Sequence, residues 1–96
     1  MPVYQLSRDA AKDLHAIAIY TVDTFGAQQA QLYADGLEQC LITIADNPFI
    51  GRERGHIRPS LRSFKHESHV IYYLMRDSGL YIVRVLHNRQ KASKHR

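Results

Sequence analysis

The apolar positions of this 96-residue chain recur every three to four residues up to residue 46 and every second residue from residue 61 onward. The first spacing predicts helices and the second predicts strands. A short extended run, Val3 to Leu6, stops at Ser7, whose hydroxyl accepts from the free amides of a helix start. Ala10, Leu14, Ile17, Thr21 and Phe25 then form one stripe, which predicts a helix from about Arg8 to Phe25, ended by Gly26. A second stripe of Ala30, Tyr33, Leu37, Cys40, Leu41 and Ile44 runs to Asn47-Pro48, where proline forbids further helix. Two stripes with so short a connection predict an antiparallel helical hairpin.

The stretch PFIGRERGHIRPS, residues 48–60, holds two prolines, two glycines and no apolar period, so it reads as a loop carrying Arg52, Arg54 and Arg58. Strands are expected at Leu61 to His66, His69 to Arg76 and Leu80 to His87, with turns at Glu67-Ser68 and Asp77-Ser78-Gly79. They form a three-stranded antiparallel meander whose edge the opening strand can join. The fold class is therefore α+β: an N-terminal strand, an antiparallel two-helix hairpin and the meander, in a single domain over residues 1–96.

Strict alternation across the last hairpin puts Val70, Tyr72, Leu74, Val83 and Val85 on one face and Ile71, Tyr73, Met75, Ile82, Arg84 and Leu86 on the other. Both faces are apolar, yet one helical hairpin covers only one of them. The other needs the long loop or the C-terminal tail folded across it, a bound partner, or a second copy.

Composition changes the picture in two places. Apolar residues make up 45% of the chain, enough for one modest core, and no run approaches the length of a membrane span. The start MPVYQLS lacks a charged-then-apolar secretory pattern, so a cytoplasmic location is expected. The single cysteine, Cys40, sits at helical spacing from Leu37, Leu41 and Ile44 and reads as core. Charge divides unevenly: residues 1–46 carry two cations against six carboxylates, whereas residues 47–96 carry eleven against three, with five of the six histidines. A half with net charge +8 beside one of −4 suits an acidic partner, although charge alone favours a solvated basic face.

Metal-independent RNA cleavage needs a base for the 2′ hydroxyl, an acid for the leaving oxygen and cations for the phosphate. His66, His69, His87 and His95 supply candidate bases and acids, and Arg58, Arg62, Arg84 and Arg89 candidate clamps, although nothing in their spacing fixes two histidines around one atom. The HESH run holding His66 and His69 lacks the further ligands of a metal shell, so no metal is expected. Gly51 and Gly55 stand in GRERG with no following GKS or GKT, which removes a phosphate-binding loop and leaves no cofactor implied. Arg84 lies inside IVRVL, where a guanidinium costs free energy unless a carboxylate, phosphate or partner meets it. Its alternatives are a head in water over a packed stem, or pairing with Glu67.

The segments LSRDAAKDL, IYTVDTFGAQQAQLY, NPFIGRE, IRPSLRSFKHESHVIYY and IVRVLHNRQ, taken in that order, resemble the ParE family of the RelE/ParE toxin superfamily over nearly the whole chain. The resemblance implies the toxin of a type II toxin–antitoxin pair, neutralised in a hetero-oligomer by a ParD-like antitoxin. It further implies a toxin that binds DNA gyrase without being an enzyme and without sequence-specific nucleic-acid binding. On this resemblance the target-binding residues are Arg58, Arg62, Arg84, His87 and Arg89. The antitoxin would cover the apolar face of Ile71, Tyr73, Met75, Ile82, Arg84 and Leu86. Two alternatives stay open: a ribosome-dependent ribonuclease of the RelE kind, for which His95 is the nearest C-terminal candidate, and a non-toxic module that only binds an antitoxin.

Overall fold

A computed structural model describes residues 4–89. The elements are β1 (Tyr4–Leu6), α1 (Arg8–Phe25), α2 (Ala27–Asp46), β2 (Arg52–Glu53), β3 (Arg62–His66), β4 (His69–Arg76) and β5 (Gly79–His87). The closing tail, with the expected His95, lies outside the described residues.

Ser7 starts α1 as its sequence position predicts. Its hydroxyl oxygen accepts from the Ala10 N–H at 2.9 Å and donates to the Val83 carbonyl at 2.7 Å, so one side chain caps the helix and ties it to β5. Gly26 alone joins the helices, at a φ of 89°, a conformation that side-chain-bearing residues seldom adopt. The α+β class holds, with five strands in the order β1-β5-β4-β3-β2. The opening strand does join the sheet edge, running parallel to β5, while the other pairings are antiparallel. The fifth strand, β2, falls inside the stretch expected to be all loop: Arg52 and Glu53 pair with Ser63 and Arg62. Two residues are too few to show a period, so the sequence carried no signal for them.

The expected division of the sheet faces needs correction. Tyr72 faces Arg84 across the ladder but Tyr73 faces Ile82, so Val83 is an extra residue on β5. Such a bulge reverses the alternation beyond it. Ile82 and Val85 therefore share the helix-side core, while Val83 and Leu86 belong to the opposite face. The helix-side core joins Ala10, Leu37, Leu41 and Ile44 to Ile71, Tyr73, Ile82 and Val85, with Cys40 buried among them.

The second apolar face is covered largely from within. Leu61 is buried against Tyr72, Leu74 and Leu86, and Ile57 packs on the same cluster. Hydrogen bonds from Arg54 N–H to the Leu61 carbonyl at 2.7 Å and from Ile57 N–H to the Arg54 carbonyl at 2.9 Å hold this loop in shape. No helix of the described residues is long and apolar enough to cross a membrane.

Candidate functional site

Two concave surfaces among the described residues stand out. The larger, about 770 Å³, lies where α1 and the start of α2 diverge from the ends of β4 and β5. Ile17, Tyr20 and Phe25 give it an apolar wall, and Tyr33, His69 and His87 close its polar end. The helix stripe placed Phe25 in the core, but it is 62% exposed, and Tyr20, one position off the stripe, is 64% exposed. Both lie in the second half of α1, toward the connection at Gly26. Large apolar side chains left in water beside a concave wall are the mark of a protein contact.

The polar end is a cluster of rings. Tyr33 Oη and His69 Nδ1 lie 2.6 Å apart, the His69 and His87 rings meet edge-on at 5.6 Å, and the Tyr33 and His66 rings lie 5.8 Å apart. A neutral phenol donates to an unprotonated imidazole nitrogen, so this geometry fits neutral His69 with its proton on Nε2. Burial, then the neighbouring His87 and His66, push the His69 pKa below the ordinary histidine value. Burial also raises Tyr33, with Glu67 adding to it and a Ser68 backbone hydrogen bond opposing it. His66 Nε2 is 3.4 Å from the Glu67 carboxylate, near enough for ionic attraction but not aligned for a hydrogen bond.

The smaller cavity, about 420 Å³, opens on the other face of the sheet. Arg58, Arg76 and Arg84 line it together with Tyr72, Tyr81, Ile57 and Val83. The Arg76 guanidinium stacks on the Tyr81 ring at 3.6 Å. No carboxylate pairs with Arg58 or Arg76 among the described residues. Arg76 had no sequence signal, because it ends a strand like any solvent-facing cation.

Arg84 meets a carboxylate, but from α1 rather than from Glu67. Its Nε donates to Asp13 Oδ2 at 2.8 Å and a terminal nitrogen donates to Asp13 Oδ1 at 2.9 Å. The Val85 N–H also donates to Asp13 Oδ2 at 2.9 Å. Hydrogen bonding to Asp13 raises the Arg84 pKa further above its already high value. A side chain singled out for a partner is thus also a strut between helix and sheet.

The other sequence-chosen residues do not converge. Arg62 donates to the Gly51 carbonyl at 2.8 Å and lies over the Phe49 ring, bracing the loop before β2. His87 lines the larger groove, and Arg89, just past β5, donates its backbone N–H to His87 Nδ1 at 3.2 Å. Of the face first assigned to an antitoxin, Ile71, Tyr73 and Ile82 are 0% exposed beneath the helices and Leu86 is buried on the opposite side, while only Met75 is exposed. Those residues do not form one open surface, because the bulge and the helical hairpin divide and cover them. Among the described residues no three His, Cys, Asp or Glu are grouped to hold a metal ion.

Comparison with known proteins accords with this architecture. Residues 4–92 match the family model described as ParE toxin of type II toxin-antitoxin system, parDE. Toxin ParE1 of Caulobacter vibrioides is 35% identical over 95 residues, covering 99% of this chain and 98% of that protein. Toxin ParE1 of Mycobacterium tuberculosis is 36% identical over 92 residues, covering 95% and 94%. In fold, the chain is similar to a structure described as the chromosomal ParDE TA system from P. aeruginosa, with a TM-score of 0.77 and 20% identity over 91% of this chain and 96% of that one. With a family match from β1 to beyond β5 and full-length relatives above a third identical, this chain belongs to the ParE toxin family of type II toxin–antitoxin systems.

Proposed function

We propose that this ParE-family toxin inhibits DNA gyrase by binding rather than by chemistry, and that a ParD-like antitoxin neutralises it by occupying the groove beside the helical hairpin. The observation that carries the binding reading is the separation of the two surfaces. His69 and His87 line the helix-side groove, whereas Arg58 and Arg76 line the cavity on the other face of the sheet, and Arg84, which also lines that cavity, is held by Asp13 of the groove. Cleavage of a phosphodiester needs acid, base and cationic clamp around one phosphorus, and among the described residues the His69 and His87 imidazoles line one concavity while Arg58 and Arg76 line the other. The arrangement suits one partner on each face.

The antitoxin reading moves from the buried sheet residues to Ile17, Tyr20 and Phe25, which offer an apolar wall to a partner segment. The target reading keeps Arg58 and Arg84 and adds Arg76, while Arg89, just past β5, meets His87 of the helix-side groove through its backbone N–H. Arg62 then serves the loop, and His87 the groove. Purified gyrase and toxin tested for complex formation, with wild type beside Arg58→Ala/Arg76→Ala, examine this directly. Loss of gyrase binding with antitoxin binding retained supports two separate faces. Gyrase binding unchanged in the double variant removes the cavity from the target site.

A further inference from the structure

We propose that the Tyr33–His69 pair makes the grip of the antitoxin proton-dependent, loosening it on acidification. The inference rests on the reading of the helix-side groove as the antitoxin site and concerns how that site is regulated.

Which group donates across this contact depends on the tautomer of neutral His69, and burial of the pair favours the neutral ring. In the tautomer with its proton on Nε2, His69 Nδ1 accepts the hydrogen of Tyr33 Oη, 2.6 Å away. Once His69 is protonated, Nδ1 carries a hydrogen of its own, and the two groups point donors at one another until the phenol rotates. The hydrogen bond linking α2 to the β3–β4 turn must therefore be rebuilt whenever His69 takes a proton.

The charges around His69 oppose that proton more than they welcome it. From α2 it faces the phenol of Tyr33, from β3 its ladder partner is His66, and from β5 it meets the ring of His87 at 5.6 Å. Protonation of either histidine adds repulsion. Glu67 on the turn attracts a cation, but lies against His66 Nε2. Asp13 of α1 lines the same groove with its oxygens already accepting from Arg84 and the Val85 N–H.

An apolar segment seated on Ile17, Tyr20 and Phe25 extends toward His69 and removes more of its water. Desolvation disfavours the charged imidazole, so the complex holds the proton less readily than the free toxin. By linkage the proton then holds off the antitoxin, and affinity falls as pH falls through the titration of the free His69.

The test is the dissociation constant of the ParD-like antitoxin that neutralises this toxin on co-expression, measured at about pH 7.5 and about pH 5.5. Wild-type toxin should bind about twofold to fivefold more weakly at the lower pH, since the free His69 pKa lies below 6.5 and a one-unit difference reaches its full factor of ten only well below both midpoints. His69→Gln keeps an acceptor for Tyr33 but does not titrate, and should flatten the dependence. The His69 resonance followed by NMR provides a second readout on wild-type protein, where antitoxin binding should lower its midpoint. Equal affinity at both pH values, tighter binding in acid, or an undiminished slope in His69→Gln overturns the proposal while leaving the antitoxin reading intact. No binding at either pH overturns both.

Discussion

Asp13 in the first helix and Arg84 in the last strand, 71 positions apart in sequence, meet through two hydrogen bonds of 2.8 and 2.9 Å, and Asp13 accepts a third from the Val85 N–H. Both side chains are mostly buried, at 14% and 19% exposure, so the pair is shielded from the solvent that weakens surface ion pairs. Asp13→Ala takes the carboxylate from a shielded guanidinium and from a strand amide together, and should cost about 2–4 kcal/mol. Arg84→Met keeps much of the apolar stem and leaves the Val85 bond in place, and should cost less. At roughly 4–8 °C of melting temperature per kcal/mol for a domain this small, thermal unfolding distinguishes the two variants. Additive losses in the double variant would show that the pair does not couple helix to strand.

Tyr73 supplies a second strut. Its hydroxyl, at 0% residue exposure, donates to the Pro48 carbonyl at 2.8 Å and accepts from the Gly51 N–H at 2.9 Å. Tyr73→Phe orphans both backbone groups and should lower stability by about 1–3 kcal/mol in urea unfolding. Gly51→Ala should be worse, because its added carbon would lie 2.8 Å from the Ser63 carbonyl and against the Tyr73 hydroxyl. A tolerated alanine there would show that this loop packs differently.

Folding stability should fall with pH below the ordinary histidine range. His69 has a folded-state pKa below the ordinary histidine value of 6.5, chiefly through burial. Its contribution is therefore fully present above that value and is lost as pH falls, since the unfolded chain then binds the proton more readily. The loss levels off once the folded protein is protonated as well. Urea midpoints compared between wild type and His69→Gln measure it, and a wild-type curve parallel to the variant's would contradict the assignment.

Cys40 is the only thiol, and burial raises its pKa above 9.0. The nucleophile in disulfide exchange is the thiolate, so a disulfide reagent should react slowly with native protein and rapidly after unfolding. Equal rates in the two states would contradict its place in the core.

The elements legible in sequence were those with a sustained period. Ser7, Gly26 and Pro48 punctuated both helices at their observed ends, and β4 was read with its observed bounds. The hidden features were local departures from period. One inserted residue, Val83, reverses the sides of everything after it on β5, and alternation alone cannot register an insertion that leaves both faces apolar. Arg84 was readable as a cation in need of a carboxylate, but its partner lay on another element, and six carboxylates in the helical half offered no way to choose Asp13. Tyr33 entered the helix stripe as an apolar body, and only the fold revealed that its hydroxyl meets His69. Arg76 became notable through its stack on Tyr81 beside Arg58, a proximity created by the loop folding over the sheet.

The central claim is that the toxin stops gyrase by binding it. The most direct measurement is DNA supercoiling by purified gyrase in the presence of toxin freed from its antitoxin, run beside a translation reaction probed for cleaved messenger RNA. Blocked supercoiling or trapped cleaved DNA, with the messenger intact, is the predicted result. Normal supercoiling at saturating toxin, whether or not the messenger is cut, would contradict it.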